Sequence, residues 1–139
     1  MRPSRIIVGE VRGKEAVDML QSVNVGHYAM TTVHANSIRD VVSRLETMVL
    51  MGMDLPVTAI RKQIASGFDI MIHLGRLRDG SRHVLEIAEP SKVVETEVRF
   101  HTLYRFQETG ELPDGRVVGK LQKMGDLQNA DKLKTAGYI

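Results

Sequence analysis

Two short stretches hold the residues best placed to do chemistry. In the first, Arg5-Ile6-Ile7-Val8-Gly9-Glu10-Val11-Arg12-Gly13, an apolar run delivers a carboxylate to its end and follows it with a guanidinium. In open α/β sheets, ligands collect at the C-terminal ends of the strands. A glutamate so placed can orient and deprotonate a water for attack on a phosphoryl group, with a magnesium ion held nearby, directly or through a water. Alone the pattern is weak, because an exposed glutamate in a strand-to-helix turn is commonplace. The second stretch, Thr31-Thr32-Val33-His34-Ala35-Asn36, ends another strand-like run in polar groups just before a helix start, a ready anion site. His34 can donate to a phosphate oxygen there, whereas a lone histidine more often caps a helix or sits satisfied in a small core. Together the two stretches favour the phosphoryl reading.

Both stretches need a frame that brings strand ends together. Ile6-Ile7-Val8 suits a strand buried on both faces, as in a parallel sheet. Ala16, Val17, Met19, Leu20 and Val23 recur at helical spacing, and Asn24-Val25-Gly26 reads as a helix end. Tyr28 to Val33 reads as a second strand, after which Ser37 and Asp40 resemble a capping pair. The β-α-β-α order predicts a parallel sheet covered by helices. Val41, Val42, Leu45, Met48 and Val49 define one face of the helix from Ile38, which breaks near Gly52. Pro56 opens another helix with Ile60 and Ile64 inward, ended by Gly67. Ile70, Ile72 and Leu74 alternate with Met71 and His73 in a third strand, and Asp79-Gly80 turns the chain into a returning strand at Val84 to Ile87. Val98 to Phe106 alternates as a strand expected to pack across the end of the sheet. Glu108 to Gly115 reads as a loop, Val117-Val118 as a short strand, and Ala130 to Ala136 as a closing helix capped by Gly137.

Composition narrows the function classes. With 139 residues, 42% hydrophobic and 26% charged, the chain has the size and balance of one globular domain, not of a disordered one. Lys and Arg number 19 against 17 Asp and Glu, for a net charge of +2, and no block of like charge or aromatic-basic interleaving points to nucleic acid as a partner. The absence of cysteine excludes disulfides, thiol nucleophiles and Cys-ligated zinc. His27, His34, His73, His83 and His101 contain no pair at helical i, i+4 spacing, so packing and surface roles outweigh a zinc site. No run approaches the roughly 18 apolar residues of a transmembrane segment, and the first residues lack a signal-peptide pattern.

The residues resemble the bacterial type II/IV secretion and pilus ATPases, most closely the CpaF type that drives Flp/Tad pilus assembly. Arg5 to Gly13 is similar to the family's Walker B segment, Gly26-His27 leads into its histidine box, and Thr32-Val33-His34-Ala35-Asn36 is similar to that box. The similarity continues through Ser43-Arg44-Leu45-Glu46-Thr47-Met48, Leu55-Pro56, Ile60-Arg61, Gln63-Ile64-Ala65, and Arg76 with Arg78-Asp79-Gly80-Ser81-Arg82. Val25 and Tyr28-Ala29-Met30 depart from the family pattern, and Arg12-Gly13 favours the CpaF type over the retraction motors. The resemblance implies a RecA-like P-loop α/β fold with a mostly parallel sheet. Residues 1–90 would be the C-terminal part of the ATPase core, and residues 91–139 a strand, hairpin and helix extension of the same domain. It implies that Glu10 is the catalytic Walker B glutamate and magnesium ligand, that His34 contacts the γ-phosphate, and that Arg12, Thr32 and Asn36 stand beside the phosphates. ATP and Mg2+ are the implied cofactors. The implied setting is a hexameric cytoplasmic ring, peripheral to the inner membrane, that works with membrane platform proteins to move pilin or substrate.

One part of that machinery is absent from the sequence. Such enzymes cradle phosphates on G-x-x-x-x-G-K-[ST], whose backbone N–H groups and lysine bind the β- and γ-oxygens. Gly13-Lys14 is followed by Glu15 and Gly119-Lys120 by Leu121, and neither has the earlier glycine. The chain is therefore expected to be the C-terminal part of a longer motor domain and inactive alone. By resemblance, the strand preceding that loop would lie between Tyr28 to Val33 and Ile70 to Leu74, leaving apolar edges unpaired. Two alternatives stand beside this reading: a conjugation or type IV pilus motor of the same superfamily, and a catalytically silent truncated paralogue acting as an interaction module.

Overall fold

The computed structural model describes residues 4–139, so the reading of the first three residues lies outside it. The elements run β1 (Arg5–Val8), α1 (Ala16–Asn24), β2 (Tyr28–Thr31), α2 (Ile38–Gly52), α3 (Val57–Gly67), β3 (Met71–Arg76), β4 (Arg82–Val94), β5 (Glu97–Glu111), β6 (Val117–Lys123) and α4 (Asp131–Thr135). They divide into two compact units. One comprises the residues up to Phe68 with Pro90–Arg99, the other Asp69–Glu89 with Phe100–Ile139.

In the first unit β1 and β2 pair in parallel, in register from Arg5 with Tyr28 to Val8 with Thr31. This is the pairing that the β-α-β order demands. Each helix contributes a stripe to one core: Ala16, Val17, Met19 and Leu20 from α1, Ile38, Val42, Leu45, Met48 and Val49 from α2, and Ile60 and Ile64 from α3. Fully burying a Val, Leu, Ile or Met side chain stabilises by about 1.5–3 kcal/mol. Helix ends follow the local chemistry. The Ser37 hydroxyl accepts the Asp40 N–H at 3.1 Å, and Gly26 follows α1 at φ 96°, a left-handed conformation that suits glycine. Helices α1 and α3 touch so closely at their ends that a Cβ on Gly67 would stand 2.7 Å from Val23 Cγ2. There Asn24 Nδ2 donates to the Gln63 carbonyl at 3.0 Å and Ser66 Oγ donates to Asn24 Oδ1 at 2.7 Å. Arg61 of α3 pairs with Glu46 of α2 and donates to the Thr96 carbonyl at 2.5 Å.

The second unit corrects the expectation of a mostly parallel sheet. Among the described residues only β1 and β2 run parallel; β3-β4-β5-β6 form a separate sheet in that order, with antiparallel β3–β4 and β5–β6 ladders. The reason is local: Asp79-Gly80 and Asp114-Gly115 reverse the chain in tight turns, with Gly80 at φ 85° and Gly115 at φ 86°, and short turns join antiparallel strands only. Accordingly β5 belongs to this sheet and does not pack across the end of a parallel one. Its ladder with β6 runs on to Glu111 opposite Val117 through a bulge at Glu108/Gly110, so the expected loop from Glu108 shrinks to the turn. On β3 the more apolar row, Ile72 and Leu74, is exposed, while Met71 and His73 on the opposite face are partly covered. Ala88, Leu103 and Ala130 are buried in this unit, together with the carboxylate of Glu89, which accepts the Gln128 N–H at 2.9 Å. No helix among the described residues is long and apolar enough to cross a membrane.

Candidate functional site

Parallel strands deliver their C-terminal ends to the same side, and this places the two chemical stretches together. Past the last ladder pair the chains stay joined by two further bonds. The Thr32 hydroxyl donates to the Gly9 carbonyl at 2.5 Å, and the Val11 N–H donates to the Thr32 carbonyl at 3.0 Å. With the Val11 side chain buried, the intervening Glu10 is held on a short, doubly anchored segment. β2 itself stops at Thr31, two residues short of the expected end.

Glu10 sits between two cationic or potentially cationic groups. Its Oε1 lies 2.8 Å from His34 Nε2, and its Oε2 accepts from Arg12 Nε and contacts the second guanidinium nitrogen, both at 2.6 Å. The Glu10 side chain is 21% exposed, against 78% for Arg12 and 85% for His34. The Arg12 guanidinium holds the Glu10 carboxyl below the usual carboxylate range, partial desolvation opposes it, and a protonated His34 adds a smaller pull in the same direction as Arg12. Glu10, His34, Arg12 and Thr32 are thus assembled in one place. Asn36 lies apart from these contacts, exposed in the bend before Ser37.

Sequence reasoning missed Glu15. Its Oε1 accepts the N–H groups of Arg12 at 2.7 Å and Gly13 at 3.0 Å, fixing the turn from which the Arg12 side chain reaches back to Glu10. These bonds lower the Glu15 carboxyl pKa, the Arg12 N–H contributing most. The signal was present: an acidic residue three places after the end of a strand-exit loop, at the spacing of a capping box.

Small hard dications take octahedral oxygen ligation. Here one carboxylate faces two nitrogen donors, and among the described residues no three His, Asp or Glu side chains cluster for a metal. Magnesium keeps several waters and is commonly held by one or two carboxylates together with phosphate oxygens, so Glu10 is the one side chain here that would hold it, directly or through a water. Glu10, His34 and Arg12 form an ion-paired cluster in which the side chains of His34 and Arg12 are solvent-exposed.

A parallel strand pair with helices that gathers polar groups at its C-terminal end is the arrangement in which α/β proteins present ligand-binding residues. The sequence matches the type II/IV secretion system protein family over residues 1–111, and the chain belongs to that family. A Mycobacterium tuberculosis protein named for conjugal transfer is 44% identical over 89 residues, 63% of this chain and 25% of that protein. The type IV secretion system protein VirB11 of Brucella suis is 36% identical over 93 residues, 63% of this chain and 26% of the relative. The crystal structure of the Brucella suis VirB11 ATPase, solved in complex with sulphate, superposes with a TM-score of 0.59 at 35% identity, covering 63% of this chain and 28% of that one. The chain therefore spans roughly a quarter of the length of the relatives it matches.

Proposed function

We propose that these residues are the C-terminal part of the motor domain of a secretion or pilus-assembly ATPase, with ATP and Mg2+ as cofactors of the longer protein. The observation that carries this reading is the meeting of Glu10 and His34 at 2.8 Å across the ends of two parallel strands. In the proposed reaction a water oxygen attacks the γ-phosphorus as the bond to the bridging oxygen breaks. Glu10 receives the water's proton, and His34 donates to a γ-phosphate oxygen. Arg12 stands beside the phosphates. Thr32, whose hydroxyl hydrogen is given to Gly9, sets the approach of the two strand ends. Asn36 lies on the path into α2 and is assigned a phosphate-proximal place with Arg12.

The finer setting is proposed by resemblance: a CpaF-type motor, assembled as a hexameric cytoplasmic ring against inner-membrane platform proteins and moving pilin or secreted substrate. The kinship with a protein named for conjugal transfer favours a conjugation motor as the second reading. The functional test compares ATP binding and hydrolysis by this chain and by a longer protein extended upstream through a glycine-rich phosphate loop. Hydrolysis by the longer protein only is the expected result; turnover by the short chain would overturn both the need for the phosphate loop and the assignment of the site.

A further inference from the structure

Both oxygens of Glu10 are engaged, Oε1 by His34 and Oε2 by Arg12. A carboxylate held in two charge-assisted bonds is a poor proton acceptor, because each bond stabilises the ionised form that would have to give way. The resting arrangement is therefore unsuited to the role proposed for Glu10, and one partner must leave before Glu10 can take a proton. Arg12 is the partner built to leave. Its backbone is fixed by Glu15 while its side chain, like that of His34, is mostly solvated, and exposed ion pairs are weak enough to exchange partners. A guanidinium also matches the oxygens of a phosphate at least as well as those of a carboxylate.

We propose that Arg12 is a removable cap on Glu10: the guanidinium blocks the carboxylate while the site is empty and transfers to a phosphate-bearing anion when one enters. Arrival of the anion thereby uncovers Glu10 Oε2. This reading deepens the function proposed above and rests on it. The device couples base activation to occupancy, so that Glu10 Oε2 is free of its guanidinium partner only when there is a phosphoryl group to attack. Arg12 is a positioning residue in this scheme, acting through the carboxylate it releases.

The test is a double-mutant cycle on pyrophosphate binding to this chain by calorimetry, using the wild type, Glu10→Gln, Arg12→Gln and the double variant. Glu10→Gln removes the charge that holds Arg12 and leaves only a neutral acceptor, so it should tighten pyrophosphate binding up to about fivefold, and that gain should shrink by at least about threefold when Arg12 is already glutamine. Equal gains in both backgrounds would mean that only a negative charge was removed, and would overturn the cap. A second readout needs no variant: the Arg12 Nε–H resonance of the wild type should move on addition of pyrophosphate. A resonance that stays still while pyrophosphate binds, or no pyrophosphate binding by any of the four proteins, overturns the proposal equally. Because the cycle reads anion binding, its failure leaves the role of Glu10 in turnover to be judged separately by hydrolysis in the longer protein.

Discussion

Replacing Glu10 by glutamine is the most informative perturbation of the site. The amide has nearly the shape of the carboxylate. Its oxygen can still accept from Arg12 Nε, now 2.6 Å away, and its NH2 can face His34 Nε2, now 2.8 Å away. The doubly anchored segment from Gly9 to Val11 does not involve the Glu10 side chain, so the fold should be unaffected. What is lost is the capacity to take a proton. A positioned general base contributes about 10²–10⁴-fold, so turnover should fall by ~100-fold or more, while nucleotide affinity stays within about fivefold of the wild type. The assay is single-turnover ATP hydrolysis in a longer protein that carries the phosphate loop, beside equilibrium binding of a non-hydrolysable analogue. A variant that binds normally and turns over within about threefold of the wild type would refute the assignment. A variant that fails to bind would move Glu10 from chemistry to recognition.

Further predictions concern the frame of the site. Thr32→Val removes one hydrogen bond at constant shape and should destabilise the strand ends by about 0.5–1.5 kcal/mol, read as faster amide exchange at Val11; unchanged exchange would show that the hydroxyl does not clasp Gly9. Leu45→Ala opens a cavity where α2 is buried in the helical core and should cost about 2–5 kcal/mol in chemical denaturation, whereas a loss below about 1 kcal/mol would mean that the three helices do not share that core. Asp79, drawn to about pKa 2 by the Ser81 hydroxyl and by the N–H groups of Val117 and Ser81, ties the β3–β4 turn to β6. Its folded pKa lies below the ordinary value of 3.8, so its contribution is complete above pH ~4 and fades as the pH falls towards 2. The stability gap between wild type and Asp79→Asn should be present at pH 7 and gone near pH 2; a gap independent of pH would remove the carboxylate from the account.

The elements whose cause is local were legible in the sequence. Ser37 and Asp40 announced the start of α2, Ile60 and Ile64 the inner face of α3, and Gly26 and Gly80 the breaks that need a left-handed residue. The meeting of Glu10 and His34 was legible as well, since each ends an apolar run and parallel pairing brings the two ends together. Sheet membership was not. Val98 to Phe106 alternates in the same way whether it extends a parallel sheet or joins an antiparallel one, and periodicity carries no information about the neighbour. Nor does alternation say which row is covered: on β3 the apolar residues Ile72 and Leu74 face outward. The orienting part of Glu15 showed only as the spacing of a capping box, because its partners are backbone N–H groups and Arg12 is not a usual capping residue.

Register explains why so few residues suffice to build the site. Val8 opposes Thr31, which sets Gly9 against Thr32 and brings Glu10 within reach of His34. In a strand a slip of one residue turns every side chain to the opposite face. A slipped β2 would carry the Thr32 hydroxyl away from the Gly9 carbonyl and His34 away from Glu10 in one movement. Ala29 and Thr31, now partly covered, would exchange places with the exposed Tyr28 and Met30. The bond from Thr32 to Gly9 thus acts beyond its own modest strength, because it is available in one register only. Packing against the helices favours that same register, and the geometry of the acid–base cluster follows from it without a dedicated scaffold.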